Sequence, residues 1–234
     1  MDLKIFKEKI LRNKKIPENP LYFMMNKNFG TVCSKVSDRR KTVYENFRSE
    51  ELVSKEKANL HTIGRLDCDT VGLLFFTNDG KLSNFLTRPE NKIQKEYFVV
   101  LKDEFSIQQK NEFSDKALKG GIILPAEKKA NEQKSGKSII NWNVENDFIL
   151  KVKKMYGFTE FDERFKSSKC CFITVTEGKF HEVKRIFCSF GTEVVFLMRT
   201  KTAGIELDYS LKSGEKRQLG EKEVLALKSL FLNN

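Results

Sequence analysis

One stretch of the chain, residues 61–80, brings together residue types that can do chemistry. Two carboxylates, Asp67 and Asp69, precede the apolar run at residues 71–76. An apolar run of this length, rich in branched and aromatic residues, predicts a buried strand, and the turn signal at residues 77–80 ends it. Asp67 therefore lies on a short connection at the start of a rigid strand, which is a common position for a catalytic group.

The residues alone leave three interpretations of these carboxylates open. Asp67 and Asp69 can bond nearby backbone N–H groups in a turn or cap. They can also form an Asp-x-Asp pair for a divalent metal ion in a nuclease or phosphotransferase, although further acidic ligands are not evident. Asp67 can instead act as a nucleophile or base. Cys68 is a weaker candidate because neither histidine of the chain has a spacing that suggests a partner for the thiol.

Composition indicates the class of partner. The 234 residues include 43 Lys and Arg against 32 Asp and Glu, a formal net charge of +11. This excess of positive charge favours a polyanionic partner, and nucleic acid is the first candidate. No apolar stretch approaches the roughly 18–20 residues needed to span a bilayer, so we expect no membrane anchor. Five cysteines without C-x-x-C spacing and two histidines argue against a zinc site. An odd cysteine count without a signal-peptide pattern indicates a reducing cytoplasm.

The elements that must position these residues belong to an α+β fold. Apolar spacing predicts helices at 81–86, 107–118, 180–190 and 221–232, and a basic amphipathic helix within residues 1–20. Strands are predicted within 21–34 (two), and at 71–76, 93–101, 121–124, 148–155, 170–176 and 193–199, with polar, mobile loops at 125–141 and 157–169. Because strands outnumber helices and are joined by turns as well as helices, we expect a large mixed, mostly antiparallel sheet with flanking helices.

The motif around Asp67 resembles that of a known family. Gly64-Arg65-Leu66-Asp67, followed by Gly72-Leu73-Leu74 and Thr77-Asn78-Asp79-Gly80, closely resembles the catalytic-aspartate motif of RNA pseudouridine synthases of the ribosomal small-subunit type. Further segments match in the family's order: 22–27 with 29–34, Lys95-Glu96-Tyr97, 176–185, 195–199, 204–207 and 214–219. Two residues depart from the family pattern, because Asn28 stands where proline is usual and Glu182 replaces a glutamine.

The resemblance implies a fold, a reaction and a set of residue roles. It implies a bent sheet in two lobes, with RNA in the cleft and Asp67 at its floor as the nucleophile or base that converts uridine to pseudouridine without a cofactor. Tyr97 would contact the flipped uracil. A buried carboxylate needs a nearby cation to stay ionised, and Lys184 is our candidate, with Arg185 as the alternative. Predicted RNA contacts are Arg65, which would help to extrude the nucleotide, and Lys95, Arg185, Lys27, Arg199 and His181.

The resemblance also divides the chain and suggests its partner. Residues 1–20 form a basic extension, too short for the S4-type RNA-binding domain with which relatives often begin, and residues 21–234 form the catalytic domain of two lobes. We expect a monomer that acts on structured RNA, ribosomal RNA first, with no metal and no membrane. The alternative is an RNA-binding protein that keeps this scaffold without the chemistry, which the departures at Asn28 and Glu182 would support.

Overall fold

The structure, a computed structural model, describes residues 19–47 and 59–232. The basic helix predicted within residues 1–20 lies almost entirely outside these residues. Helices and strands follow one another along the described residues. None of the described helices has the length and apolar character needed to cross a lipid bilayer.

The described strands and helices follow in chain order. The strands are β1 (Tyr22–Lys27), β2 (His61–Ile63), β3 (Thr70–Thr77), β4 (Lys95–Leu101), β5 (Ile123–Leu124), β6 (Gln133–Lys134), β7 (Ser138–Asn141), β8 (Cys170–Val175), β9 (Val194–Thr202), β10 (Ile205–Glu206) and β11 (Lys216–Gln218). The α-helices are α1 (Gly80–Thr87), α2 (Ile107–Lys119), α3 (Asn146–Tyr156), α4 (Glu182–Ser189) and α5 (Glu221–Leu232). Short 3-10 turns lie at Val43–Asn46, Pro89–Asn91, Glu163–Phe165 and Ser167–Lys169.

One large sheet organises the described chain. Its main path runs β11-β1-β3-β9-β4-β8-β7, with β2 on β3 and β10 on β9, while β5 and β6 form a separate hairpin. The pair β3–β9 is parallel, with Thr70 opposite Leu197 and Gly72 opposite Arg199, and the other pairs of this sheet are antiparallel. This confirms the predicted α+β fold with a mixed, mostly antiparallel sheet. The parallel pair joins its two antiparallel halves.

The turn after β3 shows how the sequence sets one boundary. All eight residues of β3 are buried, as the apolar run predicts. Asp79 then caps α1, because its Oδ1 accepts a hydrogen bond from the Leu82 amide at 3.1 Å. The Tyr22 hydroxyl donates to Asp79 Oδ2 at 2.9 Å, which ties the cap to β1. The end of β3 that lies away from Asp67 is therefore fixed.

Three predicted segments differ from the structure. Residues 148–155 are part of helix α3, because Ile149 and Val152 are buried at helical spacing, whereas strand alternation would also bury Leu150, which is 46% exposed. The second strand predicted within 21–34 is reduced to a single bridge between Val32 and Thr42. The predicted loop at 125–141 contains β6 and β7, and β7 extends the sheet by pairing with β8.

Gly72 lies where the backbone of β3 passes close to that of β9. Its φ is +93°, and a Cβ at this position would lie 2.4 Å from the Arg199 carbonyl oxygen, which only glycine avoids. We expect Gly72→Ala to lower the free energy of unfolding by about 1–3 kcal/mol in urea titrations. Gly191→Ala is the matched control, because Gly191 also has a positive φ, +83°, with nothing within 4 Å of an added Cβ. Equal losses in the two variants would contradict the close-approach argument.

Candidate active site

The connection between β2 and β3 presents Asp67 to a cavity of about 710 Å³. The buried Lys27 binds the backbone of this connection. Its Nζ donates to the carbonyls of Cys68 at 3.5 Å and Thr70 at 2.9 Å, and also to that of Asn28 at 3.1 Å. Burial lowers the pKa of Lys27 to about 8 against the opposing effect of nearby thiol and carboxyl groups. The backbone that follows Asp67 is thus tied to β1.

Lys184 is the cation nearest to the carboxylates of this connection. Its Nζ lies 3.5 Å from Asp67 Oδ2 and 2.6 Å from Asp69 Oδ1. Burial raises the pKa of Asp69, but the hydrogen bond and charge of Lys184 outweigh it, so the pKa of Asp69 is lowered. The geometry matches the predicted contact between Lys184 and Asp67 and adds Asp69 as the closer partner. The Asp-x-Asp pair therefore faces an ammonium group.

His181 lies between two carboxylates. Its Nε2 is 3.7 Å from Asp67 Oδ1, and its Nδ1 is 2.7 Å from Glu127 Oε2. The ring also stacks on Phe180, with centroids 3.8 Å apart. Glu127 belongs to the segment between β5 and β6, so this hairpin orients a ring that faces Asp67.

Strands β4 and β9 supply the opposite side of the cavity. Lys95 and Tyr97 both line it, as strand alternation predicts. Burial raises the pKa of Tyr97, although a hydrogen bond with Arg199 opposes this. Arg199 Nε also donates to the Leu73 carbonyl at 2.7 Å, which bridges β9 to β3. Burial, together with the charge of Arg199, lowers the pKa of Lys95 to about 8, and Lys95 Nζ donates to the Glu177 carbonyl at 2.7 Å.

The structure corrects two of the predicted RNA contacts and reassigns a third. Lys27 and Arg185 are each 0% exposed, so neither presents a surface to RNA. Arg185 instead donates to the backbone carbonyls of Leu124, Pro125, Asn131 and Phe180, so it is also not the cation that pairs with Asp67. Arg199 is 3% exposed, its Nε donates to the Leu73 carbonyl, and its charge acts on Tyr97. Burial of these cations is compensated by hydrogen bonds, which assigns them to positioning.

The remaining predicted residues lie at the cavity. Arg65 is exposed and lines the cavity two residues before Asp67, and His181 and Lys95 line it as well. Sequence reasoning missed Glu127, Lys129 and Glu177, of which the last two also line the cavity. Glu177 lies within the matched segment 176–185, but the sequence analysis gave it no role. Glu127 contacts His181 from 54 positions away, and no local pattern indicates such a contact.

The side chains around Asp67 and Asp69 do not support a metal-dependent nuclease or phosphotransferase. Within residues 19–47 and 59–232 no cluster of three or more His, Cys, Asp or Glu side chains is arranged to hold a metal ion. Lys184 also occupies the position beside Asp69 that a divalent cation would need.

Comparisons with known proteins agree with this geometry. The family model described as RNA pseudouridylate synthase matches residues 21–189. The ribosomal small subunit pseudouridine synthase A of Haemophilus influenzae is 33% identical over 88% of this chain and 73% of its own length. That of Escherichia coli is 33% identical over 89% and 74%. A solved structure titled "Crystal structure of pseudouridylate synthase" superimposes with a TM-score of 0.69 and 31% identity, covering 90% of this chain and 75% of that one. The chain belongs to the RNA pseudouridylate synthase family, whose members isomerise uridine in RNA to pseudouridine.

Proposed function

We propose that this chain isomerises a uridine of ribosomal RNA to pseudouridine with Asp67 as the nucleophile or base. The observation that carries the proposal is the position of Asp67, at a cavity wall between Lys184 Nζ at 3.5 Å and His181 Nε2 at 3.7 Å. Lys184 places a positive charge opposite the carboxylate, and both routes require that carboxylate to be ionised.

The reaction needs little beyond these side chains. The bond between N1 of uracil and C1′ of the ribose breaks, the uracil turns, and C5 bonds to C1′, while the C5 proton leaves and N1 gains one. No electron acceptor or donor is involved. A carboxylate beside the ribose either attacks C1′ or removes the C2′ proton, and Asp67 supplies it. Its place on a connection tied to β1 and β3 keeps the carboxylate fixed against the substrate.

Tyr97 and Arg65 serve the nucleotide rather than the carboxylate. Tyr97 lines the cavity with a ring face and a hydroxyl, and is proposed to contact the uracil. A base in a helix or stacked loop reaches Asp67 only after it leaves the stack. Arg65, exposed at the cavity, is placed to fill the gap or to contact phosphate. Lys95 and His181 complete the proposed RNA contacts.

The substrate and the setting are proposals drawn from the relatives. The Haemophilus and Escherichia proteins are named for the ribosomal small subunit, so we assign the target to ribosomal RNA. We also propose that the protein acts as a monomer. We place it in the cytoplasm, in keeping with the bacterial relatives and with five free cysteines in the described part of the chain.

Mapping of modified positions tests the proposed function. Pseudouridines are mapped across total RNA from cells with and without the gene. The proposal expects one position of ribosomal RNA to lose its pseudouridine when the gene is deleted. Unchanged pseudouridine at every position of the ribosomal RNA would contradict it, and a loss confined to transfer RNA would correct the substrate.

Binding to RNA is expected to depend strongly on salt. The net charge of +11 implies that phosphate contacts dominate, and each contact releases counterions. We expect the affinity for a ribosomal RNA fragment to fall log-linearly with salt, by at least about tenfold between roughly 50 and 200 mM. Filter binding across this range measures it. An affinity that stays constant would show that charge does not drive the association.

A further inference from the structure

Glu182 begins α4 at the position where the family motif has glutamine. The residue is 6% exposed and lines the same cavity as Asp67 and Tyr97. Its Oε2 has no hydrogen-bond partner among the described residues. An ionised carboxylate in such a place is costly, because burial removes water without a full replacement. The environment therefore favours a protonated side chain.

A second carboxyl group acts on Glu182. The negative charge of Glu177 disfavours a second ionised carboxylate beside it in a buried place. Glu177 is the ionised member, because the Lys179 ammonium contacts it and the Gly136 amide donates to its Oε2 at 3.1 Å. The proton of the pair therefore lies on Glu182.

Charged and titratable groups on neighbouring elements also act on Glu182. They include Lys179, on the connection after β8, and Lys95 and Tyr97, on β4. Burial, followed by the charge of Glu177, raises the pKa of Glu182 to about 7, and the two lysines oppose this shift. The proton is thus lost close to neutral pH.

The pair sits where three parts of the cavity wall meet. Residues 177–181 line the cavity between β8 and α4. Glu177 binds the Gly136 amide, and Lys179 Nζ donates to the Lys134 carbonyl at 2.8 Å, so this wall is joined to the segment around β6. Helix α4, which starts at Glu182, carries Lys184 to within 3.5 Å of Asp67.

We propose that Glu182 is a positioning residue that acts in its protonated form: as a neutral side chain it packs in the cavity wall at the start of α4, and this keeps Lys184 opposite Asp67. When the proton passes to solvent, two adjacent carboxylates repel each other and the wall shifts. Glutamine offers the donor and acceptor pattern of protonated glutamate at every pH. The inference rests on the proposed function only for its kinetic assay.

The kinetic test compares pH profiles of pseudouridine formation in single turnover. Wild type is expected to lose rate as the pH rises through about 7, by about tenfold per unit beyond it. Glu182→Gln is expected to lack this limb and to keep its rate up to about pH 8, where Lys95 begins to titrate. Glu132→Gln removes the same charge from an exposed position and should retain the wild-type limb. A limb near pH 7 that persists in Glu182→Gln overturns the proposal.

A second measurement does not depend on activity. A glutamate with a raised folded-state pKa stabilises the folded chain below its ordinary pKa of 4.5, and this stabilisation is lost as the pH rises to about 7. Urea titrations should therefore show wild type losing stability across this window more than Glu182→Gln does. Equal loss in both proteins overturns the proposal. Absence of pseudouridine formation by wild type at every pH would contradict the proposed function and leave this measurement to decide the inference.

Discussion

Replacing Asp67 by asparagine is expected to abolish pseudouridine formation while the fold and the affinity for RNA are retained. Asparagine keeps the shape of the side chain, and the connection around it is held by backbone contacts such as Thr70 N to Asp67 O at 3.1 Å, which the substitution leaves in place. The negative charge that attacks C1′ or removes the C2′ proton is lost. We expect the single-turnover rate to fall by at least about 10⁴-fold, as for other removed nucleophiles.

Asp69→Asn is the matched control for Asp67→Asn. Asp69 lies two residues away, and its Oδ1 is 2.6 Å from Lys184 Nζ, so the substitution removes the same charge from the same connection. Because Lys184 then has Asp67 as its carboxylate partner, most activity should remain, with or without chelator. Turnover by Asp67→Asn at the wild-type rate refutes the catalytic assignment. Equal loss in both variants would point to a structural role for the connection.

Replacing Lys184 by methionine is expected to cause the second largest loss. Methionine keeps much of the length of the side chain but removes the ammonium that lies 3.5 Å from Asp67 and 2.6 Å from Asp69. Loss of one preorganised charge of this kind costs about 10²–10³-fold in rate. Lys201→Met is the control, since Lys201 forms an ion pair of 2.8 Å with Glu206 on the surface. A rate within about twofold of wild type in Lys184→Met would assign the role to another cation.

Lys184→Met also has a readout that does not involve RNA. Lys184 lowers the pKa of Asp69 below its ordinary 3.8, against burial, which raises it. That pairing stabilises the folded chain above pH 3.8, and the stabilisation is lost as the pH falls through the lower folded-state pKa. Lys184→Met removes the largest contributions that oppose burial, so the pKa of Asp69 should rise in NMR titrations. An unchanged pKa would contradict the ion pair.

The sequence predicts the part of the site that local patterns determine. The apolar run after Asp67 predicted a strand, and β3 forms there as expected, whereas the choice of Asp67 as nucleophile or base came from the family motif. The alternation of β4 correctly placed Lys95 and Tyr97 toward one cavity. Helical spacing located α4, and with it the position of Lys184. In each case the periodicity of one element decides which residues share a face.

Contacts between distant segments were not predictable in the same way. Arg185 and Lys184 are adjacent in sequence, yet Lys184 faces Asp69 and Arg185 turns inward to carbonyls of the segment at 124–131. Basic residues in an RNA-binding motif suggest a surface role, so the burial of Lys27 also had no local signal. The strand predicted at residues 148–155 was wrong for another reason, because a short run of branched and aromatic residues fits both the helical and the strand period.

The most direct test of the central claim is complementation of a strain that lacks the gene. Plasmid-borne wild type and Asp67→Asn are expressed to equal levels, and pseudouridine is quantified at the position of ribosomal RNA that the deletion leaves unmodified. We predict that wild type restores the pseudouridine and that Asp67→Asn leaves the position as uridine. Restoration by Asp67→Asn to the wild-type level would contradict the assignment of Asp67 as the group that carries out the isomerisation.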